Sequence, residues 1–471
     1  MLRLLATLCV LSVSIPVGAA TFEDWATGRT LRVDYVHTGI ASEEHFALER
    51  LRVEGEWPGS RTQTLDTTNR GKYMVEVADL ATHRVLYTRG FASIYGEWET
   101  TGEARKGVWR AIPETVRIPE PKGPVQLRLR KRQDDQSFRE VWGVTIDPAS
   151  RFVDRAPLAE GDAVSIVDSG PAATKVDLVI LGDGYAGAQR EKFVADARRA
   201  SDALFEFDPF RTRKGDFNVR AVWTPAANEG ISRPRAGVFR DSPLGARYNS
   251  FDSERYVLTL DDRAWRDAAA IVPYDFVLIL VNERKYGGGG IFGLYSTAAM
   301  GGSYADYLVV HEFGHHFAGL GDEYYTSPVA YEDFAGGRVE PWEPNVTALL
   351  EPGTIKWADL MEQGTPLPTP WEKEAYEEFS RAYQKQRAEL RDAGATEEQM
   401  EALFDAVREQ NTRTLGAEKF AGKVGAFEGA MYEATGFYRP SADCIMFTRD
   451  EVGFCTVCAH AVEEIIDLYA E

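Results

Sequence analysis

Cysteine is scarce in this sequence, with four among 471 residues. Cys9 lies in an N-terminal segment that we expect to be removed, which leaves Cys444, Cys455 and Cys458. An odd number of cysteines excludes a full disulfide framework, because at most one internal disulfide can form and one thiol remains. Cys444 paired with either downstream cysteine is one interpretation. A second metal site that adds the nearby His460 is the alternative.

Long apolar runs are also absent. The first run, residues 4–13, is shorter than the roughly 20 residues that a membrane span requires, and no later uncharged segment reaches that length. Arg3 before this run, Pro16 after it and small residues at 17–20 are typical of a secretory signal. We therefore predict a signal peptide at 1–20 and an exported protein, periplasmic or extracellular, without a membrane span.

Basic residues do not dominate the charge. Lysine and arginine number 53 against 73 aspartates and glutamates, and the pI is about 5.0. This balance argues against nucleic acid and anionic membranes as partners. A chain of 471 residues with 44% hydrophobic content can bury two cores, so two domains are expected.

The first predicted domain, residues 21–150, alternates short β-type runs with turns. Between residues 29 and 36, Leu31, Val33 and Tyr35 recur with period two and share one face. Similar runs follow at 72–78, 84–87, 107–112 and 125–129. We predict an antiparallel β-sandwich of about seven strands, which packs against the second domain or positions substrate.

The second predicted domain, residues 151–471, alternates strands with helices. Predicted strands lie at 176–181, 217–223, 255–260 and 275–281, and predicted helices at 189–207 and 262–270. This order predicts an α/β (α+β) fold with a mixed sheet. Residues 366–412 are rich in charged residues and alanine, and they predict a helical insertion with helices at 371–391 and 396–410.

The stretch His311-Glu312-Phe313-Gly314-His315 carries the clearest chemical signal. On a helix, positions i and i+4 lie on one face, roughly 6 Å apart along the axis, so both histidines can bind one ion. Glu312 lies about 100° away and can reach water at that ion without binding it. Such a site activates water for attack on a carbonyl, which predicts a catalytic Zn²⁺ with Glu312 as the base.

The third ligand must come from beyond the helix, because catalytic zinc usually has three protein ligands. On a continuous helix Asp322 would lie roughly 10 Å past His315, so the helix must end first. Gly319 and Gly321 permit this ending, since glycine accepts a left-handed conformation. We predict Asp322 as the third ligand, with Glu323 as the alternative.

The motif resembles that of the metzincins, but its glycine and its acid each come one position late. The sequence is more similar to the bacterial IgA-peptidase family of secreted zinc metallopeptidases. The segments that carry this resemblance are 176–185, 311–324, 425–430, 438–440, 444–446 and 454–458. The resemblance implies peptide-bond hydrolysis by His311, His315 and Glu312, and a β-rich domain in front of the peptidase domain. It does not imply that immunoglobulin is the substrate.

Four further features lie outside the motif. Met446 resembles the methionine turn that packs under zinc in metzincins. Tyr438 is a candidate donor to the developing oxyanion, and Glu428 is a candidate supporting residue. The glycine-rich segment 286–295 is either the sheet edge that pairs with extended substrate or a plain loop.

Together these features predict a secreted zinc-dependent endopeptidase that acts on peptides or proteins. Two other classes stay open: a non-catalytic surface binding protein whose metal is structural, and an amidase that cleaves a non-protein amide. An intact Glu312 weighs against the binding protein, because a structural metal has no use for a water-activating carboxylate.

Overall fold

A computed structural model describes residues 21–326, 338–450 and 452–471. The predicted signal peptide, residues 1–20, lies outside these ranges. The first part of the described chain is rich in strands: β1 (Ala26–Ile40), β2 (Glu43–Glu56), β3 (Tyr73–Asp79), β4 (Val85–Phe91), β5 (Arg110–Pro121), β6 (Val125–Arg132), β7 (Phe138–Ile146) and β8 (Val153–Asp154). Three short helices accompany them: α1 (Phe22–Trp25), α2 (Ile94–Trp98) and α3 (Gly102–Arg105).

These strands form two four-stranded sheets, in the orders β5-β1-β2-β8 and β4-β3-β6-β7. Alternate residues of β1, including Leu31, Val33 and Tyr35, are buried in the core that β3 and β6 also line. Seven strands, β1 to β7, lie within the predicted range 21–150, as expected, and the two-residue strand β8 beyond that range adds a parallel pairing with β2. Strand β2 was not predicted from the sequence, because its first half is charged and largely exposed.

The second part contains a six-stranded mixed sheet in the order β13-β14-β12-β10-β11-β9. Its strands are β9 (Ala163–Val167), β10 (Val176–Asp183), β11 (Phe217–Val222), β12 (Phe276–Val281), β13 (Gly288–Ile291) and β14 (Tyr295–Ala299). The four inner strands are parallel, and the two edge strands, β9 and β13, are antiparallel to their neighbours. The inner strands β10 and β12 are buried throughout, which explains the unbroken apolar sequence of β12 and the apolar run 178–181 in β10.

Helices α4 (Arg190–Leu204), α5 (Asp262–Ala269) and α6 (Ala305–Ala318) pack on this sheet. Helices α7 (Lys373–Asp392) and α8 (Glu397–Gly416) follow, then a small hairpin of β15 (Phe427–Ala430) with β16 (Glu433–Arg439), and last α9 (Thr456–Tyr469). A mixed α/β domain behind a β-rich domain confirms the predicted fold class.

The strand predicted at 255–260 is wrong. This segment makes only isolated bridges, from Tyr256 to Gly288 and from Leu258 to Arg247. Val257 and Leu258 are buried against the domain core, and this burial accounts for the apolar pattern of the segment. Burial of this short run therefore gave the same sequence signal as a strand.

The charged insertion forms an antiparallel pair of helices, α7 and α8. Thr396 and Gln399 make the capping box at the start of α8. The pair packs through Tyr383 and Phe404 against Tyr304 and Tyr307, at the start of α6. This small cluster anchors the insertion beside the helix that carries the histidine motif.

Candidate active site

Helix α6 lies directly against the edge strand β13. A Cβ atom at Gly290 would lie 2.1 Å from the backbone oxygen of Glu312 and 2.9 Å from Cβ of His315. A Cβ atom at Gly288 would lie 3.0 Å from Cγ of Glu312. The glycine run is therefore needed for the close approach of strand and helix, and the predicted sheet edge is an ordered strand.

Helix α6 ends at Gly319, which has a left-handed φ of +65° and donates its N–H to the oxygen of His315. The chain then turns back, so Asp322 returns to the histidines. Gly321 does not have this left-handed conformation. Its N–H donates to Oδ1 of Asn345 at 2.7 Å, and the Asn345 side chain holds the returning segment in place.

Three side-chain atoms form a nearly equilateral triangle at the turn. Nε2 of His311 lies 3.2 Å from Nε2 of His315, and each nitrogen lies 3.2 Å from Oδ1 of Asp322. The opposite ring nitrogens face backbone carbonyls: Nδ1 of His311 donates to Ile445 at 3.0 Å, and Nδ1 of His315 donates to Leu320 at 2.6 Å. These bonds leave the Nε2 lone pairs directed into the triangle.

This donor set fits a divalent cation. Oδ1 of Asp322 is buried and has no hydrogen-bond partner among the described residues. Without a cation or a proton, three electron-rich atoms would face one another away from solvent, which is costly. Burial lowers the pKa of His315, but the negative charge of Asp322 outweighs it and raises this pKa to about 9. The same negative potential attracts a metal ion, and two imidazoles with a carboxylate suit zinc.

Glu312 lies beside the triangle and is not part of it. Its carboxylate falls within 4.8 Å of the ligand nitrogens of both histidines. Burial raises the pKa of this carboxyl above its ordinary value, against the opposing effect of His311 and His315. A carboxylate of raised pKa next to a metal site is well placed to accept a proton.

Aromatic side chains that the sequence analysis missed also hold the site. Tyr307, one helical turn before His311, places its hydroxyl 3.2 Å from Nδ1 of that histidine. The hydroxyl of Tyr432 donates to Oδ2 of Asp322. Tyr432 has a left-handed φ of 66°, uncommon for a residue with a side chain, in a turn where the N–H of Met431 donates to the oxygen of Asp322.

Tyr438 lies elsewhere. It is on β16, where its backbone N–H and oxygen bond to Thr347, and its ring packs beside Trp357 and Val457. The described contacts include none between Tyr438 and the triangle. Glu428 is on the same hairpin as Tyr438. Its Oε2 forms an ion pair with Nζ of Lys373 in α7, at 2.7 Å.

Met446 and Glu323 support the site from below α6. Sδ of Met446 lies 3.0 Å from the position of a Cβ at Gly314, so methionine fills the space under the helix. The N–H of Glu323 donates to the oxygen of Met446 at 3.0 Å. The Glu323 side chain is fully buried and points toward Asn345 and Cys458. In the structure Asp322, and not Glu323, therefore contacts both histidines.

The mixed α/β domain behind a β-rich domain and the triangle of two imidazoles and one carboxylate define a protein with a candidate metal centre. The sequence profile of the IgA Peptidase M64 family matches residues 164–466, and that of the Peptidase M64 N-terminus matches residues 21–143. The chain belongs to the IgA Peptidase M64 family. It is a peptidase, and its substrates are peptides or proteins.

The search of curated proteins gave no match. Within the part of the chain that the structure describes, no helix is both long and apolar enough to cross a membrane.

Proposed function

We propose that this peptidase is an exported, zinc-dependent endopeptidase with Glu312 as its general base. The observation that carries the proposal is the triangle of two imidazole nitrogens and one unpartnered carboxylate oxygen. His311, His315 and Asp322 would hold the ion. When bound there, Zn²⁺ supplies Lewis-acid chemistry, polarising the scissile carbonyl and making water more acidic.

The chain itself would handle the proton and orient the ligands. Glu312 accepts a proton from the attacking water on its carboxylate and then delivers it to the leaving amine. The carbonyls of Leu320 and Ile445 fix the imidazole tautomers, and Tyr432 fixes the second oxygen of Asp322. Each of these partners favours a site that is already formed before substrate binds.

Strand β13 is the proposed docking edge for an extended substrate. On its outer side, Gly288 donates to the oxygen of Arg255 and accepts from the N–H of Val257. Because peptide groups alternate along a strand, those of Gly290 point to the same outer side. A substrate strand paired at Gly290 would run beside Glu312 and His315, as β-strand addition requires.

Peptide products would test this proposal. Purified protein is incubated with a diverse peptide library with and without chelator, and the products are sequenced by mass spectrometry. Glu312→Gln is the matched variant, because it keeps the size of the side chain and removes the base. We expect internal cleavage by the wild type alone. Stoichiometric zinc without any cleavage would favour the binding protein, and cleavage of only non-protein amides would favour the amidase.

A further inference from the structure

A second cluster of metal-ligand side chains lies below the candidate active site. It consists of Glu323, Cys444, Cys455 and Cys458, whose ligand atoms all lie within 4.8 Å of one another. Glu323, Cys444 and Cys458 are buried, and Cys455 is partly buried. All three cysteines are free thiols in the structure.

The distances match tetrahedral zinc better than a disulfide. Sγ of Cys444 lies 3.8 Å from Sγ of Cys458. Two thiolates about 2.3 Å from one tetrahedral zinc are about 3.8 Å apart, whereas bonded sulfurs are about 2.0 Å apart. Oε1 of Glu323 lies 3.2 Å from Sγ of Cys458, close to the value of about 3.5 Å that the same geometry gives for oxygen and sulfur.

The surroundings of the cluster also suit a bound cation. Cys455 is the N-cap of helix α9, and its N–H donates to Sγ of Cys444 at 3.3 Å. Such N–H donors and a helix N-terminus stabilise thiolates. Glu323 is fully buried, and its Oε2 has no hydrogen-bond partner in the described chain. Burying a carboxylate with one unpartnered oxygen is costly, and a cation bound through Oε1 would offset that cost by neutralising the group.

We propose that Glu323, Cys444, Cys455 and Cys458 bind a structural zinc ion, separate from the candidate catalytic one. His460 is the fourth ligand in the metal site that the sequence offers as the alternative to a disulfide. In the structure His460 is exposed, and Glu323 takes its place beside the three cysteines. A closed set of four protein ligands is typical of structural zinc.

This second ion would join the two turns that build the active site. Glu323 directly follows Asp322, and Cys444 directly precedes Ile445, whose carbonyl orients His311. One ion held by Glu323 and Cys444 would therefore fix both turns and tie them to the start of α9. The site stands on its own geometry and does not depend on the proposed peptidase mechanism.

Cobalt substitution of the full chain tests the proposal. Thiolate ligands give Co²⁺ an intense charge-transfer absorption, which imidazole and carboxylate ligands do not give. We expect this band in the wild type and in a His311→Ala/His315→Ala variant, which lacks the candidate catalytic ligands. We expect it to be lost in Cys455→Ser. With zinc, we expect about two ions per wild-type chain and about one in each variant.

Thiol titration provides a readout that does not require a variant to fold. Cys444, Cys455 and Cys458 should resist a thiol reagent in the native zinc protein and react after denaturation with chelator, without reductant. Absence of the thiolate band in wild-type protein saturated with cobalt would overturn the proposal, as would reaction of only one of these three thiols after denaturation, which indicates a disulfide. Retention of the band in the double-histidine variant would support the second site even if that protein cleaves no peptide.

Discussion

Replacement of Gly290 by alanine should displace the helix that carries the active site. The added Cβ would lie 2.1 Å from the backbone oxygen of Glu312, and real contacts of this kind almost never fall below 3.0 Å. The strand and α6 must therefore separate by about 0.9 Å. Overpacking of this size costs about 1–3 kcal/mol, and misplacing catalytic groups by about 1 Å can lower the rate about 100-fold.

Two measurements on Gly290→Ala would check this reasoning: kcat/KM on a cleaved peptide, and the melting temperature by calorimetry. We expect kcat/KM to fall about 100-fold and the melting temperature to fall by about 1–5 °C. Gly289→Ala is the matched control on the same strand. Its Cβ would meet the ring of Tyr256 at 2.6 Å, on the face away from α6, and that partly buried ring can move.

Gly289→Ala should therefore keep activity within about threefold of the wild type, because α6 stays in place. If Gly290→Ala kept both its activity and its melting temperature, the close packing of α6 on β13 would be refuted. An equal loss of activity in both variants would show that the strand matters for another reason, such as substrate pairing.

Four other predictions concern single side chains. Glu312→Gln should lower kcat by about 10²–10⁴-fold, because the general base is removed. The zinc content should not change, because Glu312 lies outside the triangle. Loss of zinc, measured by mass spectrometry, would contradict this. Tyr432→Phe should weaken zinc affinity about 10–100-fold in a chelator competition, because Asp322 loses its hydrogen-bond donor, and equal affinity would refute that role. Tyr438→Phe tests the predicted oxyanion donor: a drop in kcat at constant zinc affinity would support it, and an unchanged kcat would reject it. Burial lowers the pKa of His37 in β1, but the negative charges of Glu114 and Glu44 outweigh burial and raise this pKa. The charged imidazole therefore adds to the free energy of unfolding below about pH 6.5. This contribution is lost as the pH rises through the raised pKa. The melting temperature should fall as the pH rises above about 6.5, and less so in His37→Gln; equal falls would contradict the assignment.

Local patterns predicted much of this protein. The alternation of Leu31, Val33 and Tyr35 identified a sandwich strand, and the spacing of His311 and His315 identified the candidate metal pair, because both signals lie within one element. The end of the helix at Gly319, which lets Asp322 return, was also a local signal.

The remaining contacts join distant parts of the sequence. The backbone carbonyl of Ile445 accepts a hydrogen bond from His311. Every residue has such a carbonyl, so the sequence could not predict which residue makes this bond. Tyr432 and Tyr438 lie on one hairpin, and which of them contacts Asp322 is decided by the left-handed turn at Met431 and Tyr432. Residues other than glycine rarely adopt this conformation, so sequence analysis did not expect it there.

The guanidinium of Arg70, in the β-rich domain, carries one further consequence. It donates to the backbone oxygens of Ala318, the last residue of α6, and Ala461 in α9, at 3.1 and 2.7 Å. The β-rich domain thus supplies a positive charge to the carboxyl end of the motif helix, where the helix dipole favours it. Separation of the two domains would remove these donors and leave the carbonyl of Ala318 without the bond from Arg70, so the domains are poor candidates for exchange with unrelated modules.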